Sequence, residues 1–489
     1  MSTSNWTLLT DLYELTMMQG YFKQAEKDTK DSVVVFDAFY RKNPSGNGYA
    51  IAAGLEQIIG YIKNLSFSYE DIEYLRGLGI FEEDFLDYLA GFHFTGDIYA
   101  IPEGTVVFPR EPLVKVVAPI MEAQLIETAV LNIVNHQSLI ATKASRVCQA
   151  ARGDGVMEFG LRRAQGPDAG TYGARAAVIG GCAGTSNVLC GKLFDVPVLG
   201  THAHSWIMSF PDEYTAFKAY AKLYPDACTL LVDTYDTLKS GVPNAIRVFN
   251  ELRAAGIMPK KYGIRLDSGD LAYLSKKARK MLDAAGHQAA VISASSDLDE
   301  YLIDSLKTQG AAITSWGVGT NLITSADCPA FGGVYKLAAI KRADADTFEA
   351  KIKISENPIK VTNPGNKTVF RIYDKETGKI RADLIALYDE VYDESRDLEI
   401  FDPIDTWKRS TLAAGTYTIR ELLVPVFQKG QCVYDSPKTM EIQAYCRREL
   451  ETLWEESRRL VNPQIVYVDL SKPLYDLKNK LLNEKNTAK

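Results

Sequence analysis

GTHAHSW (200–206), LLVDTYDT (230–237) and GIRLDSGDL (263–271) decide the reading of this chain. Each is an apolar run whose far end opens into residues that bind, ionise or attack. The same texture continues on both sides, upstream in VMEFGLRRAQGPDAG (156–170) and GGCAGTSN (180–187), downstream in AVISASSDLDE (290–300) and SWGVGTNLITS (315–325). Between most of these runs lie stretches of helical composition, such as NAIRVFNELRAAG (244–256) and AYLSKKARKMLDAAG (272–286). Short apolar run alternating with amphipathic stretch is the pattern of successive βα units and a parallel sheet. Every strand end from Glu158 to Thr320 is polar or glycine-rich. In a closed barrel such ends converge on one face, whereas an open sheet gathers them only at a crevice. The expectation is therefore an irregular TIM-like α/β barrel with one active site at its mouth.

Outside 123–334 the texture differs. Strand-like runs such as SVVVFDAFY (32–40), KLAAIKR (336–342) and TVFRIYD (368–374) come from both ends of the chain. The expected organisation is an α/β sandwich domain with its N-terminal part at 1–122 and its C-terminal part at 335–430, the barrel at 123–334, and a helical tail at 431–489. With 489 residues the chain is long for a single core. Hydrophobic residues at 46% and no apolar run of the roughly 18 residues a bilayer span needs argue against a membrane role. The start lacks a basic run followed by an apolar one, so a cytoplasmic location is expected. A net charge of -7 gives no general attraction to nucleic acid. Seven cysteines without a CxxC pair read as reduced thiols; Cys432 and Cys446 make a weak case for half a metal site.

The strand ends leave several chemistries open. His202 and His204 have the HxH spacing of a barrel zinc site, but the only later histidine, His287, sits in a turn, and the ligand count fails. His204 is then a nucleophile, a general base or a core residue, with Asp233 and Asp236 as carboxylates that could orient it. That acidic pair could also bind a ribose, bind Mg²⁺ through water, or cap the next helix. Arg265 and Asp267 alternate to one side of their strand and can face a compact anion and a sugar, or simply pair with each other. The glycines around Thr320 suit either a phosphate or a tight turn. Phe159 can stack on a flat ring while Arg162 holds a phosphate. His136, Lys143 and Arg146 share a helix face that is either an anion-binding surface or a solvated stripe.

TDLYELTM (10–17), FYRKNP (39–44), HQSLIATKASR (136–146), EFGLRRAQGPDAG (158–170), GTSN (184–187), GTHAHSW, VDTYDT, IRLDSGDL, GVGTN and FGGVYKL (331–337) together resemble nicotinate phosphoribosyltransferase, in family order. The resemblance implies a type II phosphoribosyltransferase fold and ligation of nicotinate to phosphoribosyl pyrophosphate. That reaction is coupled to hydrolysis of ATP as co-substrate, with Mg²⁺, in a homodimer with shared active sites. By position, His204 matches the transiently phosphorylated histidine. Phe159 and Tyr13 match the aromatics that sandwich the pyridine ring, with Tyr13 from the partner subunit. Thr201 and Arg265 match nicotinate contacts, Asp267 a ribose contact and Thr320 a phosphate contact, with Arg162 and Asp233 near the phosphates and the histidine. Lys353 and Lys360 are basic residues whose reach is left open. The strand end at Gly184, Thr185, Ser186 and Asn187 lacks the acid that would accept from a nicotinamide amide, which fits an anionic ring substituent paired with Arg265. The rivals are a metal-dependent hydrolase using His202 and His204, and a protein that senses nicotinate without turnover.

Overall fold

The computed structural model describes residues 5–23, 31–257, 259, 261–405 and 407–487. The chain divides into two compact units, one of residues 1–139, 330–437 and 444–489, the other of residues 140–329 and 438–443.

In the second unit six short strands form one parallel sheet, ordered Gly184–Thr185, Gly155–Glu158, Ser315–Val318, Val291–Ala294, Lys261–Leu266, Ala227–Leu231. Taken as a ring this is chain order, because the first strand, Gly155–Glu158, pairs both with the next one and with the last. That first-to-last pairing is the strand order of an α/β barrel, here open along one seam. Val198 extends the ring by a single parallel bridge to Thr185. Between Val198 and Ala227–Leu231 no strand pairing occurs among the described residues, and the seam is crossed by a side chain: the N–H of Leu231 donates to Nε2 of His202 at 3.3 Å.

The returning helices begin on acids or amides supplied by the loops that lead into them. Asn187, Asp212, Asp270 and Asp299 each accept a backbone N–H of the helix that follows. Asp236 does the same for the turn Thr237–Gly241 ahead of helix Val242–Ala254. Such caps satisfy donors that a helix start leaves without partners, each at about 1 kcal/mol. In VDTYD and in LDSGD the last acid is therefore the cap, which leaves Asp233 and Asp267 for the barrel mouth.

The first unit is built from both chain ends, as the strand texture implied. Its larger sheet runs Glu349–Ala350, Gly333–Lys341, Val33–Tyr40, Val114–Pro119, Asp97–Ala100, Val424–Gln428, Gln431–Cys432. All its pairings are antiparallel. Helices Leu55–Lys63 and Glu83–Ala90 bury Ile58, Ile62, Phe85 and Leu89 with Val34, Phe36 and Val116 of that sheet, at about 1.5–3 kcal/mol for each large side chain. A second, six-stranded sheet is C-terminal. It includes Tyr467–Leu470, parallel to Ile380–Leu387, so the stretch read as a helical tail also contributes a strand. Four residues are too short a run to stand out from sequence. Among the described residues no helix is long and apolar enough to cross a membrane.

Candidate active site

The ends of strands Ala227–Leu231 and Lys261–Leu266 converge on His204. The residue opens the short helix His204–Met208, and its imidazole remains 39% exposed. Nδ1 lies 3.0 Å from the Thr234 hydroxyl. Nε2 faces two carboxylates, at 3.9 Å from Asp233 Oδ1 and 3.8 Å from Asp267 Oδ2. Asp233 is held firmly: its Oδ2 accepts from the N–H of Asp267 and from the Ser268 hydroxyl, each at 2.7 Å. Its Oδ1, by contrast, is buried and has no hydrogen-bond partner, an arrangement that is costly unless an incoming group completes it.

Arg265 stands on the same strand as Asp267, at 16% side-chain exposure. Its Nε donates to Ser295 Oγ at 2.8 Å, and Nη1 donates to Thr201 Oγ1 at 2.6 Å and to the His202 carbonyl at 3.2 Å. Nη2 donates to Asp267 Oδ1 at 3.1 Å, and the Ser295 hydroxyl donates to that same oxygen. The Arg–Asp pair weighed from sequence is thus real, yet four of the five N–H groups are spread over four partners, so the guanidinium plane is fixed while one Nη2 hydrogen is left over. Burial alone would raise the Asp267 carboxyl. The Ser295 hydroxyl and Arg265 outweigh it and hold Asp267 below the usual aspartate range.

The aromatic wall follows from glycine. A Cβ on Gly317 would lie 2.7 Å from Cδ2 of Phe159 and 3.5 Å from Cβ of Ser295. The Phe159 ring therefore rests on bare backbone at Gly317, beside the serine that holds Arg265. The glycines of GVGTN, read from sequence as a phosphate cradle or a tight turn, thus include one that makes room for a ring. Phe159 is anchored by its N–H to the Val318 carbonyl at 2.8 Å. Glu158, wholly buried, accepts from the N–H of Gly160 and, at 2.6 Å, from the Thr185 hydroxyl. Burial pushes its carboxyl up, and both of its oxygens are spent within the loop.

Thr320 is half-buried and opens the short helix Thr320–Ile323. Arg162 is exposed on the turn Leu161–Arg163. Tyr13 belongs to the other unit, exposed on helix Leu12–Lys23. Its phenol is pushed up by burial and by Glu127 and Glu14, and the wholly buried Glu14 is itself pushed up to about 7 by burial.

The histidine pair, the basic helix face and the two cysteines left open by the sequence are placed as follows. His202 is not a partner of His204: it spends Nε2 on the Leu231 N–H, and burial pulls it down to about 4, so it is a neutral core histidine closing the barrel seam. Lys143 and Arg146 line neither an open anion site nor a solvated stripe. Both are buried on Glu300, at 2.7 and 2.8 Å, with Asp327 also 2.6 Å from Lys143. Cys446 is buried on helix Thr439–Glu451 and Cys432 half-buried in the larger sheet. Conversely, Ser295, Thr234, Ser268 and Glu158 carry geometry that sequence reasoning did not assign. Only their place directly at or after a strand end could have marked them.

The fold and site define an α/β-barrel protein that presents an imidazole between two carboxylates, and beside it a fixed guanidinium against an aromatic face. The comparisons agree with one family. Three family models match in succession: the nicotinate phosphoribosyltransferase N-terminal domain over residues 8–135, the nicotinate phosphoribosyltransferase family over 155–376, and its C-terminal domain over 366–478. The chain is 48% identical over 478 residues to nicotinate phosphoribosyltransferase of Bacillus subtilis (strain 168), covering 98% of this chain and 95% of that one. It is 32% identical over 532 residues to the Homo sapiens protein of the same name, covering 97% and 96%. The crystal structure of human nicotinic acid phosphoribosyltransferase superposes with a TM-score of 0.82 at 29% identity, over 97% of this chain and all of that one. The chain belongs to the nicotinate phosphoribosyltransferase family.

Proposed function

We propose that this chain transfers the phosphoribosyl group of phosphoribosyl pyrophosphate to nicotinate, giving nicotinate mononucleotide and pyrophosphate, and couples the transfer to ATP hydrolysis through a transient phosphohistidine at His204. The observation that carries the substrate half is the fixed Arg265, with Thr201 and Ser295 on it and the Phe159 ring beside it. The leftover Nη2 hydrogen and the Thr201 hydroxyl are donors for a ring carboxylate, and Phe159 offers a face to the pyridine. Glu158, the acid nearest the Gly184–Thr185 strand end, has both oxygens engaged, so no acceptor there rewards the N–H groups of nicotinamide.

In the transfer the pyridine nitrogen bonds to C1 of the sugar while the C1–pyrophosphate bond breaks, its electron pair leaving with pyrophosphate. The chain's part is placement and charge. Asp267 accepts a ribose hydroxyl, Thr320 meets the 5-phosphate, and Arg162 takes up phosphate charge at the mouth. Magnesium would find a hard oxygen donor in Asp267 Oδ2, which leaves Asp233 Oδ1 to face His204 Nε2. Bound there it would neutralise charge on phosphate oxygens.

For the ATP half, Asp233 Oδ1 favours a proton on Nε2 of His204, which leaves the lone pair on Nδ1. Nδ1 then exchanges its Thr234 contact for the γ-phosphoryl group of ATP, ADP departs, and water later releases phosphate. A second copy of the chain supplies Tyr13 to the other face of the pyridine, in a cytoplasmic homodimer. The test is to give the purified protein labelled nicotinate, phosphoribosyl pyrophosphate and ATP. Nicotinate mononucleotide should form with ADP in step; ligand binding without turnover would favour a sensor instead.

A further inference from the structure

Two thiols meet at the foot of the barrel, away from the groups gathered at its mouth. Helix Glu127–Ala150 carries Ala141, Ala144 and Cys148 on one face. The turn Gly180–Cys182, which follows helix Pro167–Ile179 and leads into strand Gly184–Thr185, lies directly on that face. Bare backbone permits the approach. A Cβ on Gly180 would stand 2.2 Å from the Ala141 carbonyl oxygen and 2.8 Å from the Ala144 Cβ. One on Gly181 would stand 3.3 Å from Cys148 Sγ, and Gly181 has a φ of 118°, which residues with a side chain avoid. The turn is held from other sides as well. The Cys182 N–H donates to the Ala177 carbonyl at 3.0 Å, the Ala183 N–H to the Val156 carbonyl at 2.7 Å, and the Gln443 amide to the Cys182 carbonyl at 2.8 Å. The wholly buried Cys182 thiol is thereby delivered to Cys148 and hydrogen-bonds to it.

The pair is asymmetric. Cys148 is half-buried and open to solvent, whereas Cys182 is enclosed. Its contact with Cys148 and its burial push the Cys182 thiol well above the usual range, so Cys182 keeps its proton and Cys148 is the sulfur that meets an oxidant. Proximity then favours the second thiol over any other trap. Between the two sulfurs runs one βα unit, with strand Gly155–Glu158, Phe159, Arg162 and helix Pro167–Ile179. Both ends of that unit are already in contact, so a bond between them asks for little backbone movement and closes the segment that bears the aromatic wall.

We propose that Cys148 and Cys182 are an oxidation site, converted by a hydroperoxide into a reversible disulfide that staples this βα unit. Cys148 gives up its proton and its sulfur attacks the peroxide; the O–O bond breaks, and water or an alcohol leaves with that proton, with sulfenic acid on Cys148. The Cys182 sulfur then bonds to the sulfenic sulfur, the S–O bond breaks, and the Cys182 proton leaves with the oxygen as water. Two thiols lose two electrons and one hydroperoxide gains them. The site does not depend on the transfer reaction. The test is to treat the reduced full-length protein with hydrogen peroxide, block remaining thiols by alkylation and map peptides without reduction. A Cys148–Cys182 linked peptide is expected, lost on adding dithiothreitol. It should form at least about tenfold faster than Cys328 or Cys432, also half-buried, is oxidised. The oxidised protein should melt at least about 3 °C higher than the reduced one. Cys148→Ser, at a half-buried helix position, should abolish both the link and the gain in melting temperature. In Cys182→Ala, Cys148 should run on to sulfinic acid. Absence of the linked peptide, sulfinic acid on Cys148 of the unsubstituted protein in its place, linkage no faster than oxidation of Cys328 and Cys432, or a gain in melting temperature that persists in Cys148→Ser would overturn the proposal.

Discussion

Replacing Arg265 with glutamine tests the substrate reading most sharply. The guanidinium is held by Ser295, Thr201, the His202 carbonyl and Asp267, so its position is set before any ligand arrives and little ordering entropy is lost on binding. A charge-assisted hydrogen bond to a carboxylate in so enclosed a place contributes about 2–3 kcal/mol, and each 1.4 kcal/mol is a factor of about ten. Arg265→Gln should therefore lower kcat/KM for nicotinate roughly 30- to 150-fold. The change also loosens Thr201 and Asp267, which would slow transfer to any pyridine. Nicotinamide supplies the control, since it has the same ring and no charge. In steady-state assays of both substrates, nicotinamide should lose less than about threefold, so the selectivity ratio collapses. An equal fall for both would show that Arg265 only braces the strand ends, and the assignment of the carboxylate to it would be wrong.

Gly317→Ala places a methyl about where the Phe159 ring lies; displacing the ring should raise KM for nicotinate about tenfold while the melting temperature falls only slightly, as kinetics and calorimetry would report. Glu300→Gln removes the carboxylate that both Lys143 and Arg146 depend on inside the protein, and should cost about 3 kcal/mol or more in denaturant unfolding. Glu14 is pushed up from 4.5 to about 7 by burial, so between those pH values the folded chain holds a proton that the unfolded chain has released. Its contribution is present below about 4.5 and lost as pH rises through about 7. Glu14→Gln should flatten the decline of melting temperature across that window, and an unchanged slope would place the titration elsewhere.

Much of the barrel was legible because each βα unit repeats the same local chemistry: a short apolar run, then acids, hydroxyls or glycines at its end. What sequence could not show is the seam. Val198 joins by one bridge, and the gap beyond it is crossed by His202, so a residue with metal-ligand spacing is a structural acceptor. The acids were ambiguous for a related reason. Asp233 and Asp236 look alike in VDTYD, and only the turn geometry assigns the second to the helix start. Arg265 and Asp267 were visible as a pair because they alternate on one strand. Ser295, which bonds both, comes from a strand end 30 and 28 residues further on. Lys143 and Arg146 were misread because their counter-charge, Glu300, is remote in sequence, and helical periodicity alone does not say whether a charged face meets water or an acid.

The coupling of ATP to His204 is the central claim, and trapping the intermediate tests it directly. Protein mixed with γ-phosphate-labelled ATP and quenched in alkali, where phosphohistidine survives, should carry label on the peptide containing His204, attached at Nδ1. The label should decay when nicotinate and phosphoribosyl pyrophosphate are added, and His204→Ala should neither take up label nor hydrolyse ATP while retaining slow transfer. Label on another residue, or ATP hydrolysis that persists in step with nicotinate mononucleotide formation in His204→Ala, would contradict the account.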